Sequence, residues 1–329
     1  MTRAAAILGI GSALPGQVVT NDRFPGSSDE WVRTRTGIRE RRFVAEGETA
    51  STLAVAAARP ALSSAGVDPA AVDLVIVATV SGDRPLPPTA AYVQAALGTG
   101  GGGFDLGAAC AGFVYGLAVA DTMVTAGASD LALVVGTECL SRFINIDDRS
   151  TAVLFGDGAG AAVVGASDEP GILASLLEID GAHADLLTIP AGGSALPTSA
   201  ETVAARDHTI HMADGGEVFR RAVVGMADSC GRVLDKAGLR ADDVSLLIPH
   251  QANARIIKAV AHRLGFPMDR VVLDIETVGN TSAASVPIAL DHAWRDGRLS
   301  PGDLVLTVAF GGGLTWGANL LRWTAEAPR

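Results

Sequence analysis

Four short stretches carry side chains that could do chemistry, and they lie far apart in the chain. The first holds Cys110, in Phe104-Asp-Leu-Gly-Ala-Ala-Cys110-Ala-Gly-Phe. After Cys110 the run to Ala128 is apolar or small on nearly every face. A helix with no polar face is a buried helix, and Cys110 falls at its N-terminal end. Unpaired N–H groups and the helix dipole favour an anion there, a setting expected to lower the thiol pKa and make a nucleophile. A small core cysteine is the other reading of this stretch. The second, Pro249-His250-Gln-Ala-Asn253, directly follows an apolar strand, where site residues gather in α/β sheets. His250 is thus a candidate for catalysis or for a structural hydrogen bond. The third, Gly279-Asn280-Thr-Ser-Ala-Ala-Ser, puts an amide donor at a turn before a small-residue helix, where an ordinary N-cap would also stand. The fourth, Phe310-Gly311-Gly312-Gly313, exposes backbone N–H groups and allows positive φ. It suits an oxyanion hole or a flexible loop.

The elements that must position these residues are legible in the apolar pattern. Ala5–Ser12 reads as a buried strand, and Thr49–Ala65, closed by Gly66, as a helix. Val72–Val80 is a continuous β-rich run, consistent with a strand covered on both faces. A helix at Thr89–Leu97, strands at Gly103–Leu106 and Leu131–Val135, and the Cys110 helix complete the first half. The second half repeats the order. Asp243–Ile248 parallels Asp73–Val77, Arg270–Ile275 parallels the strand before Cys110, and Asp303–Ala309 parallels Asp130–Val135, with Ala252–Leu264 as a helix. The alternation predicts an α/β fold with mainly parallel sheets, in two similar halves, 1–170 and 171–329. A pseudo-twofold between them would bring Cys110, His250 and Asn280 together.

Composition narrows the function. The 329 residues carry a formal net charge of -11, which argues against nucleic acid as a partner. No apolar run reaches the ~18 residues of a membrane span, and no leader is evident. Cys110, Cys139 and Cys230 are widely spaced, with no metal-ligand pattern, and fit free thiols in a reducing compartment. A cytoplasmic protein without a metal is expected. Gly156-Asp157-Gly158-Ala159-Gly160 lacks the Lys-Ser/Thr ending of a phosphate loop and reads as a structural turn. His183, His208, His211, His262 and His292 read as surface or loop residues.

Taken together, these motifs resemble β-ketoacyl-(acyl-carrier-protein) synthase III, of the thiolase superfamily. Asp29-Glu-Trp31-Val-Arg-Thr-Arg35-Thr-Gly-Ile-Arg-Glu-Arg, Gly156-Asp-Gly-Ala-Gly-Ala-Ala and Phe310-Gly-Gly-Gly-Leu-Thr-Trp-Gly join the Cys110, His250 and Asn280 motifs in it. The likeness runs from about Ala6 to Trp323. It implies a thiolase-like five-layered αβαβα fold built from two duplicated halves, and a homodimer. It implies a decarboxylative Claisen condensation of an acyl-CoA primer with malonyl-acyl carrier protein, through an acyl-Cys110 intermediate. No resident cofactor is implied; the CoA and phosphopantetheine thioesters are substrates. His250 and Asn280 would act on the malonyl group, with Gly312 in the oxyanion hole and Phe310 favouring carboxylate loss. Trp31, Arg35, Arg149 and Asn253 would contact CoA, and Arg220, Arg255 and Arg263 the carrier protein, unless these arginines form only a solvated helix face.

Leu86 stands where many members of that family place a larger Phe that enters the partner's acyl pocket, which implies room for a longer or more branched primer. Ser150 replaces a usual glycine, the Ala191–His211 segment is longer than in compact members, and the stretch between Asn21 and Trp31 is shorter. A thiolase would want a second cysteine where Phe310 stands, and a two-histidine ketosynthase a His in place of Asn280. The Cys110, His250 and Asn280 set also disfavours a starter acyltransferase or a non-catalytic partner subunit. The alternative carried forward is a starter-unit acyltransferase or priming ketosynthase of a polyketide-type pathway.

Overall fold

Strand β1 (Ala4–Ala13) opens the chain, and β2 (Gln17–Thr20), α1 (Asp29–Thr36) and β3 (Glu40–Phe43) form a small unit beside it. Next come α2 (Ala50–Ala65), β4 (Leu74–Ala78), α3 (Thr89–Leu97) and β5 (Gly102–Leu106). Helix α4 (Gly112–Thr125) leads to β6 (Leu131–Glu138) and β7 (Gly158–Ser167). The second half begins at β8 (Ile172–Ile179) and continues through the short β9 (Leu187–Thr188), α5 (Ala200–Ala204) and β10 (His211–Met212). It ends with α6 (Gly215–Ala237), β11 (Leu246–Pro249), α7 (Ala254–Leu264), α8 (Ile275–Val278), α9 (Ser285–Arg295), β12 (Leu304–Gly311) and β13 (Thr315–Arg322). This computed structural model describes residues 3–326; the outermost residues of the two expected halves, 1–2 and 327–329, lie outside them.

Two sheets carry the fold. The first has the order β1-β7-β6-β4-β5 and the second β11-β12-β13-β8, so β8, β13, β12 and β11 occupy the places of β1, β7, β6 and β4. Both sheets are mixed rather than mainly parallel. β6, β4 and β5 run parallel, as do β11 and β12, but β7 and β13 pair antiparallel on both sides. Buried strands read as apolar runs in either direction, so composition did not separate the two pairings. The Arg270–Ile275 segment is not a full strand. It contributes one bridge, Val271 to Leu247, at the place that β5 holds in the first sheet.

Side-chain alternation explains the layers. Ile76 and Val134 point to a central core with Phe113 and Leu117 of α4, Val286 and Leu290 of α9, and Ile248 of the second sheet. Val75, Val77 and Val135 point the other way, onto α2 and α3. On the far side, Leu247, Leu306 and Val308 pack against α6 and α7. Helices, sheet, helices, sheet, helices make five layers. Helix α2 ends at Gly66 as expected, in the left-handed conformation, and Thr49 stands just outside its start as the cap, its side chain accepting from Thr52 N. The expected turn at Gly156–Gly160 is a strand from Gly158 on, the start of β7; the buried Asp157 just before it accepts from Val44 N and Ser141 N, each at 2.8 Å.

Candidate active site

Cys110 lies in a single 3-10 turn, Ala109–Ala111, between β5 and α4. Ala109 before it is held at φ +43°, a strained conformation that costs about 1–3 kcal/mol and concentrates at functional sites. The end of β12 comes up against this turn, and a Cβ on Gly311 would lie 2.5 Å from Cys110 N. Glycine at 311 therefore serves close approach, and of the triplet Gly313 alone has a positive φ, +126°. The thiol departs from expectation. Cys110 is buried, and desolvation, assisted by the negative charge of Glu138, pushes its pKa up to about 12. Burial of the thiolate outweighs the helix-terminal setting, so the resting thiol is protonated.

His250 follows β11 directly, and its N–H donates to Val308 O at 2.7 Å. Burial lowers its pKa to about 3, so the ring is neutral. Nδ1 lies 2.5 Å from Ser285 Oγ on α9. That hydroxyl accepts Gln251 N–H at 3.4 Å, and among the described residues Nδ1 is the acceptor within reach of its proton; with that proton directed at Nδ1 the ring carries its own on Nε2. Asn280 is fixed through its backbone, donating to Leu154 O at 2.8 Å and accepting from Gly156 N at 2.9 Å. Its Oδ1 accepts from Ser282 N at 2.9 Å, so the Nδ2 amide remains available as a donor. Helix α9 starts only at Ser285, after a 3-10 turn at Ser282–Ala284.

One cavity of about 130 Å³ is lined by Cys110, His250, Asn280 and Phe310 together, with Asn253 at its side. Phe310 is buried and stacked on Trp316, ring centroids 5.8 Å apart. A second, apolar cavity of about 270 Å³ opens from Cys110 and Gly312 between Leu140, Phe155, Leu187, Ile189 and Ile210. Asn253 also caps α7, accepting from Arg255 N at 2.8 Å, and its Nδ2 donates to Arg35 O at 3.1 Å. Arg35 and Arg149 lie over the Trp31 ring, at 4.8 Å and 5.1 Å from its centroid. The four residues expected to meet CoA thus form one chain of contacts leading outward from the Cys110 cavity. Arg255 rests over Phe219 at 5.8 Å, Arg220 pairs with Glu217, and Arg263 lies two turns farther along α7. Leu86 is 81 % exposed before α3 and lines neither cavity of its own chain.

Sequence reasoning missed several residues here. Lys258, one turn beyond Arg255, is exposed on the same side of α7, and the i,i+3 spacing was the available signal. Ile210 lies in the long 191–211 segment and reaches the apolar cavity, which nothing local in that segment announces. Ser285 and Ser282 sit inside a motif that read as capping. His292 is half-buried on α9 and pairs with Asp274 at 3.0 Å, rather than lying in a loop.

A five-layered fold with a buried thiol, a neutral histidine and an amide around one narrow cavity defines a thiolase-like condensing enzyme. Comparison with known proteins agrees and goes further. The profile of the 3-oxoacyl-[acyl-carrier-protein (ACP)] synthase III family matches residues 104–181, and that of its C-terminal part matches residues 234–323. The chain is 50% identical over 328 residues to a β-ketoacyl-[acyl-carrier-protein] synthase III of Clostridioides difficile, covering 98% of this chain and all of that one. The solved 3-oxoacyl-(acyl carrier protein) synthase III of Pseudomonas aeruginosa is 45% identical, with a TM-score of 0.91 over 99% of this chain and 100% of that one. The solved priming β-ketosynthase of the R1128 polyketide biosynthetic pathway is 40% identical, with a TM-score of 0.91 over 100% of this chain and 98% of its own. The chain belongs to the β-ketoacyl-[acyl-carrier-protein] synthase III family, acyltransferases that condense an acyl-CoA with malonyl-acyl carrier protein at the start of fatty-acid synthesis. No helix among the described residues is long and apolar enough to cross a membrane.

Proposed function

We propose that Cys110 carries the acyl group and that His250 and Asn280 serve the malonyl half of the reaction. The observation that carries this reading is the cavity shared by Cys110, His250, Asn280 and Phe310. Cys110 attacks the acyl-CoA thioester, with backbone N–H groups at Cys110 and Gly312 facing the developing oxyanion. CoA leaves, and malonyl-carrier protein enters the same cavity. Loss of CO2 leaves an enolate on the thioester oxygen. His250 Nε2–H and Asn280 Nδ2–H donate to that oxygen, and the apolar face of Phe310 beside the carboxylate favours its departure as neutral CO2. The enolate carbon then attacks the acyl-Cys110 thioester and releases the β-ketoacyl product.

The acyl chain occupies the apolar cavity. At about 30 Å³ for one water's share of liquid volume, its 270 Å³ takes several carbons beyond acetyl. Trp31, Arg35, Arg149 and Asn253 bind CoA, and Arg255, Arg220 and Arg263, with Lys258, receive the acidic carrier protein. The chain acts as a homodimer in which Leu86 of each copy enters the other's acyl cavity. In support, β5 is an unpaired sheet edge with Phe104 38 % exposed, a surface that a second copy would cover. We divide the chain into halves 1–170 and 171–329, a reading supported by the matching strand orders. Three free cysteines support a reducing, cytoplasmic location.

A second reading, priming of a polyketide-type pathway, is favoured by the likeness to the R1128 priming ketosynthase and by the roomy acyl cavity. A panel of acyl-CoAs with malonyl-carrier protein tests both. A β-ketoacyl product that is lost in Cys110→Ala supports the condensing assignment, and the best primer separates the pathways. Acyl transfer to the carrier protein without release of CO2 would overturn it.

A further inference from the structure

Glu138 is a buried carboxylate beside Cys110 that the steps above leave without a role. It ends β6 and is fully buried. Side chains alternate along a strand, so Glu138 shares a face with Gly136. That face presses on the Ser282–Ala284 turn so closely that a Cβ on Gly136 would lie 2.3 Å from Ala283 O. The carboxyl is therefore held under the turn that carries Ser282. Its Oε2 accepts from Ser81 Oγ, from Val80 N at 3.2 Å and from Thr79 Oγ1 at 3.3 Å. Among the described residues its Oε1 has no hydrogen-bond partner, and it lies under the turn that carries Ser282 and Ala283.

Ser282 lines the acyl cavity together with Cys110, and its hydroxyl favours the ionised form of both the thiol and the Glu138 carboxyl. Ser282 itself is held at φ +49°, the left-handed region again. Among the described residues no Arg, Lys or His forms an ion pair with Glu138. A buried carboxyl with an unfilled oxygen and no counter-charge is costly. Its placement under the turn that carries Ser282, which faces the same cavity as Cys110, points to proton transfer.

We infer that Glu138 accepts the Cys110 thiol proton, through the Ser282 hydroxyl, as Cys110 attacks the acyl-CoA thioester; this rests on the reading of Cys110 as the acylated residue. The Cys110 Sγ proton passes to Ser282 Oγ while the Ser282 proton passes to Glu138 Oε1. The Sγ–carbonyl bond forms, the bond to the CoA sulfur breaks, and CoA leaves as a thiolate that takes a proton from solvent. Glu138 stays neutral in the acyl-enzyme, which removes a negative charge from the cavity that receives the malonyl carboxylate. When the enolate later expels the Cys110 thiolate, Glu138 returns the proton by the same path. One proton is consumed per turnover, as decarboxylative condensation requires.

The acid–base order agrees. Burial raises Glu138 to about 7, whereas His250 falls to about 3, so the carboxylate is the stronger of the two buried bases. The titratable groups packed about the carboxyl are the Cys110 and Cys139 thiols, both pushed up by burial. Cys139 in turn faces Asp157, Asp83 and Arg142.

Rapid-quench mass measurement of acyl-Cys110 across neutral pH, in the full chain, Glu138→Gln and Ser282→Ala, tests the inference. Wild-type acylation should rise with pH through a midpoint near 7, as Glu138 loses its proton. Both variants should acylate about 10²-fold more slowly, with that midpoint gone. Both should decarboxylate malonyl-carrier protein within a few-fold of wild type. Glu138→Gln acylating at the wild-type rate with the same midpoint would overturn the inference. Equal loss of acylation and decarboxylation would also overturn it, since a structural prop gives that result. Wild type with no acyl group on Cys110 would instead overturn the reading on which the inference rests.

Discussion

Removing the Ser285 hydroxyl should separate the two halves of the reaction. Ser285 makes the 2.5 Å contact that orients His250 through Nδ1, and it touches neither Cys110 nor the acyl cavity. In Ser285→Ala the neutral ring loses its partner, and the proton is free to move to Nδ1, which removes the Nε2 donor from the enolate oxygen. Leaving one buried polar group unpartnered costs about 1–3 kcal/mol. If that cost falls on the transition state, condensation slows by about 5- to 150-fold. The assay is single turnover from enzyme already acylated at Cys110, mixed with malonyl-carrier protein, with CO2 and product followed together. Acylation by acyl-CoA, measured separately, should stay within about two-fold, because His250 is not its proton acceptor. Unchanged condensation, or acylation that falls in step with it, would refute the reasoning about the tautomer.

Arg255→Glu should raise KM for malonyl-carrier protein about ten-fold at low salt, less at high salt, and leave acylation by acyl-CoA unchanged. Ile210→Ala should enlarge the acyl cavity and shift kcat/KM toward longer primers, by about ten-fold or more for each methylene accommodated. The folded carboxyl of Glu138 titrates near 7 against an ordinary 4.5, so below 4.5 both states are protonated and folding carries no penalty. Stability is then lost as pH rises from 4.5 to about 7, where burying the charge is required. Glu138→Gln should therefore gain stability relative to wild type over that window, on the order of 3 kcal/mol by chemical denaturation.

The sequence made the layers legible because each strand and helix has its own apolar signature. The Gly66 stop bounded α2 correctly, its start falling one residue after the expected Thr49, and the repeated order placed Cys110, His250 and Asn280 at equivalent element ends. Strand direction was not legible. β7 lies between β1 and β6 as a run of small apolar residues, and such a run looks the same paired either way. The thiol was misread for a related reason: a helix terminus is visible in sequence, but the burial that raises Cys110 to about 12 depends on β12 closing over it. Glu138 carries no such signal in the sequence, where it lies just beyond the apolar run Leu131–Val135. Only packing against the Ser282 turn shows that this charge stays inside. Arg255 stood out as a charge on a helix, whereas Ile210 is an unremarkable apolar residue until the fold brings its segment to the acyl cavity.

The most direct test of the account is the mass of the Cys110 peptide, first after acyl-CoA alone and then after malonyl-carrier protein is added. One acyl group is expected on that peptide and none elsewhere, discharged on addition of the second substrate with one CO2 released per β-ketoacyl product. An acyl group on a different residue, or one on Cys110 that malonyl-carrier protein leaves in place, would contradict it.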